Sequence, residues 1–156
     1  MTEKKQGIKV IARNRKARHD YLVMDKFEAG LALTGTEVKS LRGGKVALSD
    51  AFGIVRKGEV FLQNLDIPVY SHGNMMNHEP KRRRKLLLHK REILKITIAL
   101  QEKGLTLIPL AIYFKGGWAK VEMALAKGRK LYDKRESMKK KDDRKEMDRA
   151  TGKRGR

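Results

Sequence analysis

The side chains in this sequence that could do chemistry are few, and their spacing argues against catalysis. There are four histidines, His19, His72, His78 and His89. None has the spacing of a zinc site. His72 and His78 fall in a loop-like stretch, where solvated imidazoles are expected. Cysteine is absent, which removes disulfides, zinc thiolates and thiol nucleophiles. Gly43-Gly44-Lys45 is a glycine-rich turn that lacks the phosphate-loop pattern, and Ser40 and Ser49 lack the context of a nucleophile elbow. The sequence therefore predicts no enzyme, no cofactor and no resident metal.

The abundant chemistry is cationic. Lys and Arg number 38 against 18 Asp and Glu, a formal charge of +20. Such an excess repels itself in a compact state and calls for a polyanionic partner: nucleic acid, an anionic membrane or an acidic protein. Cations neutralise phosphates and release counterions, and Arg adds bidentate geometry. Lys81-Arg82-Arg83-Arg84-Lys85 runs straight into Leu86-Leu87-Leu88. Leu86 and Leu88 are expected in the core, with Leu87 on the opposite face, where an apolar side chain beside cations can lie against an unstacked base. Nothing approaches the roughly 20 apolar residues of a membrane span, and the N-terminus carries no apolar signal core. A soluble, cytoplasmic protein is expected.

Two further residue types qualify the partner. Aromatics are only 6% of the chain, and most sit at strand positions suited to a core. This favours recognition of a structured RNA by shape and phosphate contact. Tyr132, among tail cations, is the exception and is placed to stack on a base. Glu28 is unusual near a phosphate-binding surface. It is expected either as a solvated strand residue or as an acceptor for a base edge or for Arg15 or Arg18.

The elements that must position these residues are short. Residues 1–20 lack periodicity and read as a basic arm. Tyr21–Met24 and Phe27–Leu33 are strand-like, with Gly30 a bulge or close approach. Thr34 or Thr36 caps a helix ending at Gly43-Gly44. Ala51–Arg56 and Glu59–Gln63 flank a Lys57-Gly58 turn. Ile93, Ile96 and Leu100 make one stripe of a helix over 89–103. Leu105–Phe114 and Trp118–Ala126 form a hairpin, with Pro109 at an edge or bulge. The pattern fits a closed barrel of the oligonucleotide-binding (OB) kind or an open α+β sheet; periodicity does not choose between them.

Beyond Ala126 the composition shifts. Residues 127–156 hold 14 Lys and Arg against 6 Asp and Glu, with few apolar residues. Glu136–Lys140 and Arg144–Asp148 are helix-supporting pairs. The chain thus divides into a folded region, 1–126, and a basic tail, 127–156. The tail is expected to be disordered when free and to become helical on binding, with 133–150 spanning roughly 27 Å.

Several segments, in order and with matching spacing, resemble the SsrA-binding protein family of bacterial trans-translation. They are Asn14–Tyr21, Phe27–Gly30, Gly35–Arg42, Arg84–Ile93, Lys103–Thr106, Ala126–Gly128 and Tyr132–Arg135. The resemblance implies a mainly β fold, an OB-like antiparallel barrel with flanking helices. It implies binding to the tRNA-like domain of transfer-messenger RNA (tmRNA), with a GTP-bound elongation factor engaged through the RNA. It also implies entry into stalled ribosomes, with the tail helical in the empty mRNA channel and decoding centre. Asn14, Glu28 and Leu87 occupy family positions that bear on RNA binding, and Arg15, Lys16, Arg18, Lys39, Arg42 and Lys85 surround them. Lys127, Gly128, Arg129, Lys130, Tyr132, Asp133, Lys134 and Arg135 match the tail positions needed for tagging. Gly43-Gly44 departs from the commoner Ala-Gly and should loosen that helix end slightly. The competing expectations are a generic structured-RNA binder, an RNA-directed enzyme and an acidic-protein chaperone.

Overall fold

The computed structural model describes residues 7–71 and 77–129. Ten elements follow in order: β1 (Ile8–Arg13), α1 (Arg15–Asp20), β2 (Tyr21–Leu31), α2 (Gly35–Arg42), β3 (Phe52–Arg56), β4 (Glu59–Gln63), β5 (Arg84–Leu87), α3 (Lys90–Glu102), β6 (Thr106–Lys115) and β7 (Trp118–Gly128). Every strand pairing is antiparallel. The strand order is β1-β6-β3-β4-β5-β2-β7, and β7 pairs back onto β6. That last pairing closes a ring of β6, β3, β4, β5, β2 and β7, which decides for a barrel over an open sheet. β1, which pairs only with β6, stands outside the ring at an edge.

Local chemistry explains most of the elements. Lys57 and Gly58 both have positive φ, 50° and 77°, which a tight two-residue hairpin requires. Glu92 accepts from the His89 amide and so satisfies a donor at the start of α3, while Gly104, at φ 64°, ends the helix region. Pro109 lies where the β6–β7 register shifts, as its missing N–H demands. The β3–β6 seam consists of one pair, Gly53 with Leu107. A Cβ on Gly53 would lie 2.3 Å from Leu107 Cδ2, so the absent side chain lets the two strands meet.

Two apolar clusters hold the fold. The barrel interior contains Leu31, Val60, Leu62, Leu86, Leu107, Ile112, Val121 and Met123, with Leu41 of α2 and Ile96 of α3 packed in. A smaller cluster of Ala17, Ile108, Leu110, Ala124 and Ala126 lies where α1 covers the outside of β6 and β7. Here both faces of the hairpin are covered, which is why Leu107 to Ile112 reads as continuous apolar sequence.

Three expectations are corrected, and one, at Gly30, is decided for the close approach over the bulge. Within the expected N-terminal arm, the described residues from 7 on are built structure: β1 adds to β6 and α1 packs on the barrel. Its six-residue elements are too short to show periodicity. The β2 irregularity falls between Val23 and Asp25; at Gly30 the close neighbour is the Leu87 side chain, 3.2 Å from a would-be Cβ. The last strand runs past Ala126, so Lys127 and Gly128 pair with Leu22 and Tyr21. His78 is not a solvated loop side chain; it is 9% exposed. Its Nε2 lies 2.7 Å from the Ile67 carbonyl, an acceptor only, so Nε2 carries the proton and Nδ1 faces the Thr36 hydroxyl at 2.9 Å.

Candidate nucleic-acid interface

The cationic run divides by strand parity. On β5, Arg84 and Leu86 point inward while Lys85 and Leu87 point outward. Arg84 is fully buried and donates through Nε to Glu37 Oε2 at 2.7 Å and through Nη1 to the Leu65 carbonyl at 2.6 Å. Arg82 reaches the same carboxylate, with Nη2 2.8 Å from Oε1. The Thr34 amide also donates to Glu37 Oε1, at 2.8 Å, at the start of α2. Burial works to raise the Glu37 pKa, but the hydrogen bonds from Arg82, the Thr34 amide and Arg84 win and hold it at about 2. This cluster, with Glu37 and Arg84 fully buried and Arg82 partly exposed at its rim, joins α2 to β5 and engages two of the five cations within the fold. The sequence signal was the shared parity of Arg82, Arg84 and Leu86.

The outward residues form a different site. Glu28 and Gly30 on β2, Lys85 and Leu87 on β5, Lys120 on β7 and Lys90 of α3 line a groove of about 550 Å³. Leu87 is 53% exposed and lies directly over Gly30. Lys85 is ion-paired with Glu59 at 2.6 Å on the surface, a pair weak enough to yield to a phosphate. Glu28 does not meet Arg15 or Arg18; it accepts from the Tyr113 hydroxyl and lies 3.4 Å from Lys115 Nζ. The Tyr113 hydrogen bond, with the positive fields of Lys115 and Lys120, lowers the Glu28 pKa against modest burial. Burial and Glu28 together raise that of Tyr113, so the pair is a carboxylate held by a protonated phenol. An anionic acceptor fixed among cations can take N–H donors from a base edge while the cations hold the backbone.

The other expected residues sit elsewhere. Asn14 is 5% exposed and its side chain is used inside the protein. Its Oδ1 accepts from the Ala17 amide at 3.0 Å, capping α1, and its Nδ2 donates to the Pro109 carbonyl at 2.9 Å. It sets α1 in place and so presents Arg15, Lys16 and Arg18, all exposed. Lys16, Gly128 and Arg129 line one concavity of about 830 Å³ with His19, Tyr21 and Phe52, which brings α1 to the base of the tail. Lys39 and Arg42 project from α2, over the Tyr70 ring at 5.6 Å and the Phe114 ring at 5.1 Å. Lys130, Tyr132, Asp133, Lys134 and Arg135 lie outside the described residues.

Sequence reasoning missed Tyr113 and Lys115 as the partners of Glu28, because cross-barrel register is invisible in the chain. It also missed Trp118, which is 74% exposed, against the expectation that strand aromatics are core. Its position beside Gly116-Gly117, at a hairpin tip, was the available signal. No group of His, Asp and Glu among the described residues could hold a metal, and no described helix is long and apolar enough to cross a membrane.

A small antiparallel barrel whose outer strands carry cations, an exposed leucine and a fixed carboxylate defines a nucleic-acid-binding protein of the barrel class. Comparison with known proteins makes this specific. The SmpB protein family model matches residues 11–153, and the chain belongs to that family. It is 58% identical to the SsrA-binding protein of Saccharopolyspora erythraea over 149 residues, covering 96% of this chain and 94% of that one. It is 59% identical to the SsrA-binding protein of Geobacter metallireducens over 141 residues, 90% of this chain and 92% of that one. Among solved structures, a chain described under "tmRNA-SmpB: a journey to the center of the bacterial ribosome" matches with a TM-score of 0.64 and 51% identity, covering 75% of this chain and 82% of that chain.

Proposed function

We propose that this protein binds the tRNA-like domain of tmRNA (SsrA RNA) and delivers it to stalled bacterial ribosomes for trans-translation. The observation that carries the proposal is the outer face of β2, β5 and β7. There Glu28, Lys85, Leu87 and Lys120 share one groove on a chain of the SmpB family. In this account Leu87 lies against a base, Lys85 and Lys120 hold phosphates, and Glu28 accepts from a base edge. Asn14 acts through α1 by presenting Arg15, Lys16 and Arg18. Lys39 and Arg42 add cations from α2.

The division of labour is between a folded RNA-binding body that ends with β7 at Gly128 and the basic tail that follows it. The tail enters the empty mRNA channel and decoding centre, with Lys127, Gly128 and Arg129 leading from β7 into Lys130, Tyr132 and Asp133-Lys134-Arg135. Only a channel without mRNA admits the tail, which selects stalled ribosomes without reading a codon. The role is that of a binding protein in the cytoplasm, acting with tmRNA, the small ribosomal subunit and, through the RNA, a GTP-bound elongation factor. The test is in-vitro tagging on ribosomes stalled without a stop codon. A chain ending at Arg129 should bind tmRNA at near wild-type affinity and fail to support tagging. Tagging by the shortened chain would contradict the assignment of the tail.

A further inference from the structure

We propose that the RNA-binding face continues across the barrel to the tip of the β6–β7 hairpin, where Trp118 stacks on an unpaired base of the bound RNA. The inference rests on the proposed RNA-binding function and adds a contact residue to it.

The strand register carries the argument. Leu87 pairs with Gly30, Gly30 with Lys120, Lys120 with Tyr113, and Tyr113 with Val10. Directly paired residues share a face of a sheet. These five therefore form one unbroken row on the outside of β5, β2, β7, β6 and β1. The row begins at Leu87, 53% exposed, and ends at Val10, 41% exposed. Trp118 lies two residues before Lys120 on β7, on the same face, opposite Lys115. The turn between them is Gly116-Gly117, with φ 58° and 84°. No described helix covers the outer face at this end of the hairpin, where Trp118 is exposed, whereas α1 covers that face at the other end.

A tryptophan that is 74% exposed forgoes a large burial that folding could have supplied. Its neighbours decide what it meets. Lys115 and Lys120 flank it on the same face, and the adjoining residues are glycine and alanine. A protein-docking anchor sits within a ring of contacts that exclude water. An indole between two lysines instead matches the aromatic platforms that stack bases while cations hold the phosphates.

Trp118 is the chain's one tryptophan, so intrinsic fluorescence reports on this site alone. The full-length protein is titrated with tmRNA at physiological salt, and emission and affinity are read together. Stacking predicts quenching on saturation and a loss of about 10-fold or more in affinity for Trp118→Ala. Trp118→Phe should retain most of the affinity, all three proteins should melt together, and the salt dependence of Trp118→Ala should match wild type because no charge is lost. Unchanged emission in a saturated wild-type complex would overturn the proposal, as would wild-type affinity in Trp118→Ala. Failure of the wild-type chain to bind tmRNA would overturn the function itself and this inference with it, and would be visible without any variant.

Discussion

The molecule holds two carboxylates in similar chemical company and gives them opposite access to solvent. Glu37 is enclosed and accepts from Arg82, Arg84 and a backbone amide. Glu28 is exposed and accepts from Tyr113, with Lys115 nearby. Both are depressed in pKa by their donors. The difference lies in what surrounds them. Around Glu37 every donor is spent within the fold, so the cluster fixes how α2 meets β5. Around Glu28 one side of the carboxylate faces an open groove, so the cluster is fixed yet still able to bind. Charge and hydrogen bonding alone do not distinguish a structural site from a binding site; solvent access does.

The comparison breaks most sharply at Glu37. Glu37→Gln should leave the Arg84 guanidinium buried without its counter-charge and cost about 3–5 kcal/mol in urea unfolding, while the folded fraction still binds tmRNA. A cost under about 1 kcal/mol would place that pair among ordinary surface ion pairs.

Acid titration sharpens the same point. The folded Glu37 pKa, about 2, lies below its ordinary 4.5. Its contribution is therefore fully present above the unfolded value and lost as pH falls from about 4.5 toward 2. That loss is on the order of 3 kcal/mol. Wild type should show this acid limb by denaturant midpoint, and Glu37→Gln should lack it.

Gly53→Ala tests the seam of the ring. Its new methyl meets Leu107 at a strand contact made by one residue pair. Overpacking of this kind costs about 1–3 kcal/mol, readable as a lowered melting temperature. Glu28→Gln is the converse of Glu37→Gln. It should change stability by less than about 0.5 kcal/mol yet weaken tmRNA binding by roughly tenfold, the loss of one base-edge contact. Tyr113→Phe, which frees the carboxylate without removing it, should show the same loss in smaller measure by filter binding.

The sequence was legible where structure is local. The Lys57-Gly58 and Gly116-Gly117 turns, the Thr34 helix start, the Pro109 bulge and the outward Leu87 all rest on neighbours within a few residues. What it concealed was long-range. Glu37 meets Arg84 across 47 positions and Glu28 meets Tyr113 across 85, and no periodicity encodes such pairs. β1 and α1 were read as an arm because six-residue elements carry little pattern, and their stability comes from the β6 edge and the Ala17 contact. Trp118 was misplaced because alternation tells which residues share a face, not whether another element covers that face.

The most direct test of the account is a competition experiment at physiological salt, with tmRNA and unstructured RNA of equal length offered to wild type, Leu87→Ala and Glu37→Gln. The outer-face account predicts selective binding of tmRNA by wild type and by folded Glu37→Gln. It predicts a marked loss of that selectivity in Leu87→Ala, whose exposed side chain leaves stability almost untouched. Equal selectivity in wild type and Leu87→Ala would contradict it and move recognition off the β2–β5–β7 face.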